Sequence, residues 1–277
     1  MKTDDYTEDD CLNALRESQE ILGKSPTRRE YEGLNIEPSA SILRNRFGSW
    51  NKAKLKAGLE ISKGGRPAKS VNSTYFERID TPTKAYWLGL LFGDGSLMHR
   101  EYGYRVQLTL HKKDKPHLRK FKQAINAENK LVEDKNVFHL RVGDEEFAKN
   151  LIEQDFTEMK GRDGSLPQLE SWDKRRSFIR GLSDADGFYG EYKWTITDNT
   201  SNRLQKLRNW IPLETEIVNE EYDGRSWSYL RVTGRDQLRV LYSWLFPEGI
   251  HTKPALTRKR DDVLDILRES MNEYDFC

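Results

Sequence analysis

FIRGLSDADGFYG (178–190) runs an apolar stretch into two aspartates and a glycine, and YWLGLLFGDGSL (86–97) does much the same 92 residues earlier, from Asp94 to Asp186. One Asp-Gly pair reads as an ordinary turn dipeptide. Two, each closing an apolar helix and opening a strand-like run, need a joint explanation. Within each helix small residues fall four apart, Gly89 with Gly93 and Gly181 with Ala185, which puts both on one face. Faces without side chains let two helix backbones approach closely. If these two helices pack on each other, Asp94 and Asp186 meet between two halves of the chain. Each carboxylate then sits at the negative end of a helix and faces the other. A divalent cation resolves that conflict. Hard oxygen ligands, few of them from protein, suit Mg2+ completed by water and a phosphate.

Outward from the paired stretches, two half-chains share one order of elements: helix, strands, helix, strands, helix. In the first, RVQLTLH (105–111) is a strand, Leu118, Phe121 and Ile125 mark a helix, NKLVEDK and VFHLRV form a strand pair, and Phe147, Leu151 and Ile152 mark the closing helix. In the second, YKWTIT (192–197) is a strand, Leu204, Leu207 and Ile211 mark a helix, 215–220 and 226–233 are strands around Asp223-Gly224, and Leu238, Leu241 and Leu245 mark the closing helix. Val106, Leu108 and Leu110 alternate with Arg105, Gln107, Thr109 and His111, and Tyr192, Trp194 and Ile196 alternate with Lys193, Thr195 and Thr197. One face of each sheet is therefore core and the other polar.

WLGLLFGDG (87–95) and IRGLSDADG (179–187) resemble the two copies of the signature of the LAGLIDADG homing endonucleases. The second copy is close; the first departs at Phe92, where the signature often has an acid. The resemblance spans 74–277, with half-repeats over 82–165 and 172–277, and implies an α+β fold: a duplicated, pseudo-symmetric αββαββα unit with two antiparallel sheets set on DNA. It implies a site-specific double-stranded DNA endonuclease that hydrolyses phosphodiester bonds with Mg2+. Asp94 and Asp186 would hold the metal, with Gly93 and Ala185 beside them. Because the halves differ, the partner expected is a long asymmetric DNA site bound by a monomer. The polar sheet faces offer Arg105, Gln107, Thr109, His111, His139 and Arg141 in one half, and Lys193, Thr195, Thr197 and Arg231 in the other, as groups that read base edges. Lys160, in FTEMKGRDGSLP, and Lys259, in IHTKPALTRKR, match the family's catalytic lysines; Lys253 competes with Lys259. An intron maturase or an inactive DNA-binding regulator on the same fold are the alternatives.

Residues 1–61 read as a separate helical module. Leu12, Leu15 and Leu22 have helical spacing, TRRE (27–30) fits a capping box, Ser39 and Ser49 are caps, and Gly48 and Gly58 are stops, the last closing a helix that contains Ala53 and Leu55. LGKSPTRREY and RFGSWNKAKLKAG resemble a short repeat attached to homing endonucleases, which implies a DNA-binding accessory. Net charge over the chain is only +1, yet residues 24–69 hold 11 basic and 4 acidic residues. Arg44, Arg46, Lys52, Lys54 and Lys56 are the candidate phosphate contacts, against the plainer reading of a charged helix face. SKGGRPAKSVNS (62–73) reads as a linker. Two cysteines at opposite ends make neither a disulfide framework nor a zinc motif. The acidic start lacks an apolar signal core, and no apolar run is long enough to span a bilayer. A cytoplasmic or nucleoid-associated, non-secreted protein without a membrane partner is expected.

Overall fold

The structure is a computed structural model and describes residues 6–61, 70–100, 103–158, 165–198 and 201–272. The chain divides into two compact units, Met1–Pro67 and Ala68–Cys277.

The first unit has four helices: α1 (Glu8–Leu22), α2 (Arg28–Gly33), α3 (Ala40–Phe47) and α4 (Trp50–Lys56). Capping boxes start α1 and α2, at Thr7 with Asp10 and at Thr27 with Glu30. The Ser49 hydroxyl accepts the Lys52 N–H at the start of α4, whereas Ser39 makes no side-chain cap. Gly23, Gly48 and Gly58 take left-handed φ where three helices stop. Cys11, Leu12, Leu15, Tyr31, Leu43, Ala53 and Leu59 form the core, with the Tyr31 hydroxyl donating to the Pro38 carbonyl at 2.8 Å. In α4 Leu55 faces out, and Lys54, expected among the available cations, is buried. Ala53 and Ala57, four apart, carry the inner face, and the Lys54 stem packs beside them.

The second unit opens with α5 (Pro82–Asp94), which passes directly into β1 (Gly95–Arg100). Then come β2 (Gly103–His111), α6 (Lys115–Ala124), β3 (Val132–Asp134), β4 (Val137–Val142) and α7 (Glu145–Glu153). The order repeats as α8 (Trp172–Asp186), β5 (Gly187–Tyr189), β6 (Lys193–Asp198), α9 (Ser201–Arg208), β7 (Glu216–Tyr222), β8 (Arg225–Thr233) and α10 (Arg235–Leu245), and α11 (Thr257–Asn272) is added at the end. Each half builds a four-stranded antiparallel sheet, in the orders β1-β2-β4-β3 and β5-β6-β8-β7. The duplicated αββαββα order expected from the sequence is present.

Each sheet buries one face. Val106, Leu108, Leu110, Leu140 and Val142 pack with Leu118, Phe121, Phe147 and Leu151 in the first half; Trp194, Ile196, Leu230 and Val232 pack with Leu204, Leu207, Leu238 and Leu241 in the second. Asp223 and Gly224 both take positive φ, 51° and 69°, and join β7 to β8 through the tight turn that dipeptide favours. Two readings shift. Tyr192 lies outside β6 and is 65% exposed, so the inward alternation begins at Trp194. Residues 70–73, expected as linker, join the second unit: Glu128 N–H donates to the Ser70 carbonyl and Asn72 N–H to the Ile125 carbonyl. Ser70, Asn72 and Ser73 are small and polar, while Val71 packs against the core, which suits a strap over the end of α6.

Candidate active site and nucleic-acid interface

The site is set by how α5 and α8 start, cross and stop. Thr81 and Ser171 cap their N-termini by accepting the Lys84 and Lys174 N–H groups. The two helices then lie against each other. A Cβ placed on Gly89 would overlap the Phe178 carbonyl and reach the Leu182 nitrogen at 3.0 Å; one on Gly181 would overlap the Tyr86 carbonyl and reach the Leu90 nitrogen at 2.9 Å. The contacts are reciprocal: Gly89 stands to Phe178 and Leu182 as Gly181 stands to Tyr86 and Leu90. The crossing is thus two-fold symmetric in its backbone, and the missing side chains are what permit it.

Both helices end the same way. Gly95 N–H donates to the Leu91 carbonyl, Gly187 N–H to the Ser183 carbonyl, and each glycine is already extended. A Cβ at either would lie 2.5 Å from that carbonyl oxygen. Each helix therefore enters its strand without a loop, with Asp94 and Asp186 as its last residue. The Asp186 carboxylate lies over Gly93: a Cβ there would be 2.9 Å from Asp186 Oδ2 and would overlap Ala185 Cβ. Asp94 is half-buried and Asp186 exposed. Among the described residues no three His, Cys, Asp or Glu side chains gather as a metal site. The donors at the crossing are two carboxylates and the carbonyls at the helix ends. That set fits a hard cation that keeps water and phosphate in its remaining positions.

Lys259, in the first turn of α11, reaches this crossing. Its ammonium donates to the carbonyls of Ser183 and Gly187, both at 2.8 Å, and the residue is buried. Burial pulls its pKa below the usual lysine value, while Asp184, and then Asp94 and Asp186, draw it back up. Lys259 thus caps the negative end of α8 and ties it to the first residue of β5. Lys253 is exposed. Lys160 lies outside the described residues.

Asp184, two residues before Asp186, is buried. It accepts the Tyr86 hydroxyl at 2.6 Å and the Leu256 N–H at 2.7 Å, both on Oδ2, and the Tyr189 hydroxyl at 3.4 Å on Oδ1. Burial raises its pKa, and the Tyr86 and Leu256 hydrogen bonds oppose the rise. His117 Nε2 lies 2.7 Å from the Tyr86 oxygen. Because the Tyr86 proton goes to the carboxylate, that nitrogen is the donor. Burial pushes the His117 pKa down to about 3. Sequence reading missed this group of residues; the difference between Phe92 and Asp184 was its only visible trace.

The outward sheet faces hold the other expected residues. On the first sheet, Arg141 Nε donates to Gln107 Oε1 at 2.7 Å, Gln107 Nε2 to Thr109 Oγ1 at 3.1 Å, and Thr109 Oγ1 lies 2.9 Å from His139 Nδ1. These four form one hydrogen-bonded line across β2 and β4, with Arg105 and His111 exposed at either end. His139 is largely buried within the line, 8% exposed, so it orients its neighbours more than it displays itself. On the second sheet Lys193, Thr195 and Thr197 alternate outward as expected. Arg231 Nη2 pairs with Glu216 at 2.6 Å, and the Tyr229 hydroxyl donates to Glu220 at 2.5 Å. Phe188, 52% exposed, lies under the Lys193 ammonium. This face is more aromatic and acidic than its partner. The parity of Trp227, Tyr229 and Arg231 in β8 could have shown that. In the first unit Arg44, Arg46 and Lys52 are exposed, while Lys54 is buried and drops out of the expected phosphate contacts.

Comparison with known proteins places both units. Residues 6–60 match the family described as the homing endonuclease associated repeat. No curated protein sequence matches the chain. Among solved structures, the LAGLIDADG meganuclease I-AabMI bound to uncleaved DNA is 15% identical, with a TM-score of 0.51 over 70% of this chain and 92% of that one. A variant of I-SmaMI is 12% identical, with a TM-score of 0.53 over 70% and 91%. Variants of the homing endonuclease I-DmoI are 20% identical, with a TM-score of 0.44 over 63% and 97%. The fold of the second unit is the LAGLIDADG homing endonuclease fold. No helix among the described residues is long and apolar enough to cross a membrane.

Proposed function

We propose that the chain is a site-specific, divalent-metal-dependent endonuclease that cuts both strands of a long asymmetric DNA site, acting as a monomer. The observation that carries this reading is the crossing of α5 and α8, which brings two helix-terminal carboxylates together where two outward polar sheet faces begin. Two carboxylates at negative helix ends form a site that favours a cation. It becomes useful when a cation and a phosphodiester share it. The fold, shared with a meganuclease bound to uncleaved DNA, supports duplex DNA as the partner.

In this reading Asp94 and Asp186 hold the metal, Mg2+ by the hardness of the donors, with the carbonyls of Gly93 and Ala185 beside them. The bound metal would activate water and stabilise the leaving oxygen. Lys259 keeps the Asp186 turn in place and lends positive charge to the crossing. Lys160 is the proposed counterpart near the other cut. Gln107, Thr109 and Arg141 are held in register before DNA arrives, which favours bidentate readout of base edges. Arg231 would exchange Glu216 for DNA; the pair is exposed, so the exchange costs little. Arg44, Arg46 and Lys52 would hold phosphates from the accessory unit.

The test is cleavage of a randomised duplex library with Mg2+ and with excess chelator. A defined product that appears only with Mg2+ is expected. Specific DNA binding without cutting under any divalent cation would point to a regulator instead, and RNA splicing activity without DNA cutting to a maturase.

A further inference from the structure

Lys259 owes its place at the crossing to the first turn of α11, and that turn is held from three sides. The Leu256 N–H, just before the helix, donates to Asp184 of α8 at 2.7 Å. Lys259 itself donates to the Ser183 and Gly187 carbonyls, both at 2.8 Å. The third hold comes from the other half of the repeat, 144 residues away in the chain. Arg258 Nε lies 3.1 and 3.2 Å from the two oxygens of Asp114, and Arg258 Nη2 donates to Asp114 Oδ2 at 3.1 Å. Asp114 stands at the cap position of α6, yet its side chain makes no cap bond to that helix. The carboxylate is buried and both of its oxygens are turned to the guanidinium. A forked pair of this kind fixes direction as well as distance. Successive residues on a helix point about 100° apart. Arg258 therefore reaches α6 of the first half while Lys259 reaches the α8–β5 junction of the second. A rotation of α11 about its axis that freed Arg258 from Asp114 would carry Lys259 off its two carbonyls. Arg258 is exposed, so the ion pair adds little to stability; what it sets is where α11 sits.

Resting on the nuclease reading above, we propose that Asp114 and Arg258 are positioning residues for Lys259. Their ion pair sets the rotation of α11, and through it the place of the Lys259 ammonium beside the Asp186 turn. Arg258 stays with Asp114 when DNA binds and acts through Lys259, not on phosphate. The first half of the repeat thereby helps to build the site in the second.

The experiment uses the full-length protein on its selected duplex, with Mg2+ and saturating protein, under single-turnover conditions. Arg258→Gln removes the fork, and Asp114→Asn removes the charge it grips at nearly constant shape. Each should slow cleavage by about tenfold, the scale of a small misplacement transmitted to reacting groups. DNA affinity should stay within about twofold of wild type, the mark of a loss felt in the reaction and not in binding. The thermal midpoint should nearly match wild type. Arg258→Lys, which still brings a cation to Asp114, should recover part of the rate. Both changes act on one pair, so Asp114→Asn with Arg258→Gln should be within about twofold of either alone. Added to Lys259→Met, Arg258→Gln should likewise slow cleavage by less than about twofold more. Lys259→Gln, whose amide can still donate to the two carbonyls, is the second background should Lys259→Met not fold. A residue acting elsewhere in the structure would lower the rate by the same factor with Lys259 present or absent. That result, additive effects of the two partners, no slowing by either, or a loss of affinity as large as the loss of rate would each overturn the inference while leaving the nuclease reading standing. Wild-type cutting by a Lys259 variant would do the same. A protein that cuts no duplex with any divalent cation overturns that reading, and the inference with it.

Discussion

Asp94 and Asp186 differ in setting, since one is half-buried and the other exposed, yet each ends its helix at the same crossing. If both hold metal, Asp94→Asn and Asp186→Asn should each abolish cutting of both strands. Specific DNA binding should persist or tighten, because negative charge beside phosphate is lost. A gel-shift titration beside a cleavage assay measures both, and wild-type cutting by either variant would refute the assignment. His117 makes a different prediction, about stability. Its folded pKa is about 3 because it is buried, against 6.5 for the free side chain; Lys120 on its own helix lowers it further, and Tyr86 faces it from α5. A base whose folded pKa is depressed contributes its full stability above pH 6.5 and loses it as pH falls toward 3. Within that window the slope is about 1.4 kcal/mol per pH unit for one proton taken up on unfolding. Urea unfolding at pH 4, 5 and 6 should therefore show a shallower pH slope, by about one proton, for His117→Phe than for wild type.

At the level of elements, α5 and α8 are apposed through Gly89 and Gly181. Alanine normally favours a helix over glycine by about 1 kcal/mol. Here its methyl would overlap a carbonyl oxygen of the facing helix, Phe178 for Gly89 and Tyr86 for Gly181. Overpacking of this kind costs about 1–3 kcal/mol, and more where backbone must move. Gly89→Ala and Gly181→Ala should thus destabilise by roughly 2 kcal/mol net, read as a lower urea midpoint. Gly33→Ala, in α2 with nothing within 4 Å of its added carbon, is the control and should be neutral or mildly stabilising. If all three behaved alike, close helix approach would not be the reason for these glycines.

Across the whole molecule, charge is divided unevenly. Residues 24–69 carry 11 basic and 4 acidic residues, while the sheet faces of the second unit offset part of their basic charge with Glu216 and Glu220. The second unit has its own core. Removing residues 1–70 should leave it folded and able to cut at saturating protein. DNA binding should weaken and its salt dependence flatten, with a change in log–log slope of roughly 0.9 per lost phosphate contact. An unchanged slope would mean that the first unit does not touch DNA.

The duplicated order of elements was legible in the chain because periodicity and Asp-Gly helix ends are local signals, repeated 92 residues apart in Asp94 and Asp186. The capping boxes at Thr7 and Thr27 were written as local pairs too, although only the second was read as one. Small residues four apart implied that α5 and α8 cross, since only a bare face permits that approach. Phase within short elements was less legible: in α4 a seven-residue helix left Leu55 and Lys54 to be sorted by the packing of three neighbouring helices. Partners distant in the chain were not legible at all. Tyr86 and Asp184 are 98 residues apart, and Lys259 and Ser183 are 76 apart. A buried carboxylate can draw its donors from any element that folds over it, so no spacing announces them. From sequence Lys259 was a cation near a proposed cut; only the folded chain directed its N–H groups to the carbonyls on either side of Asp186.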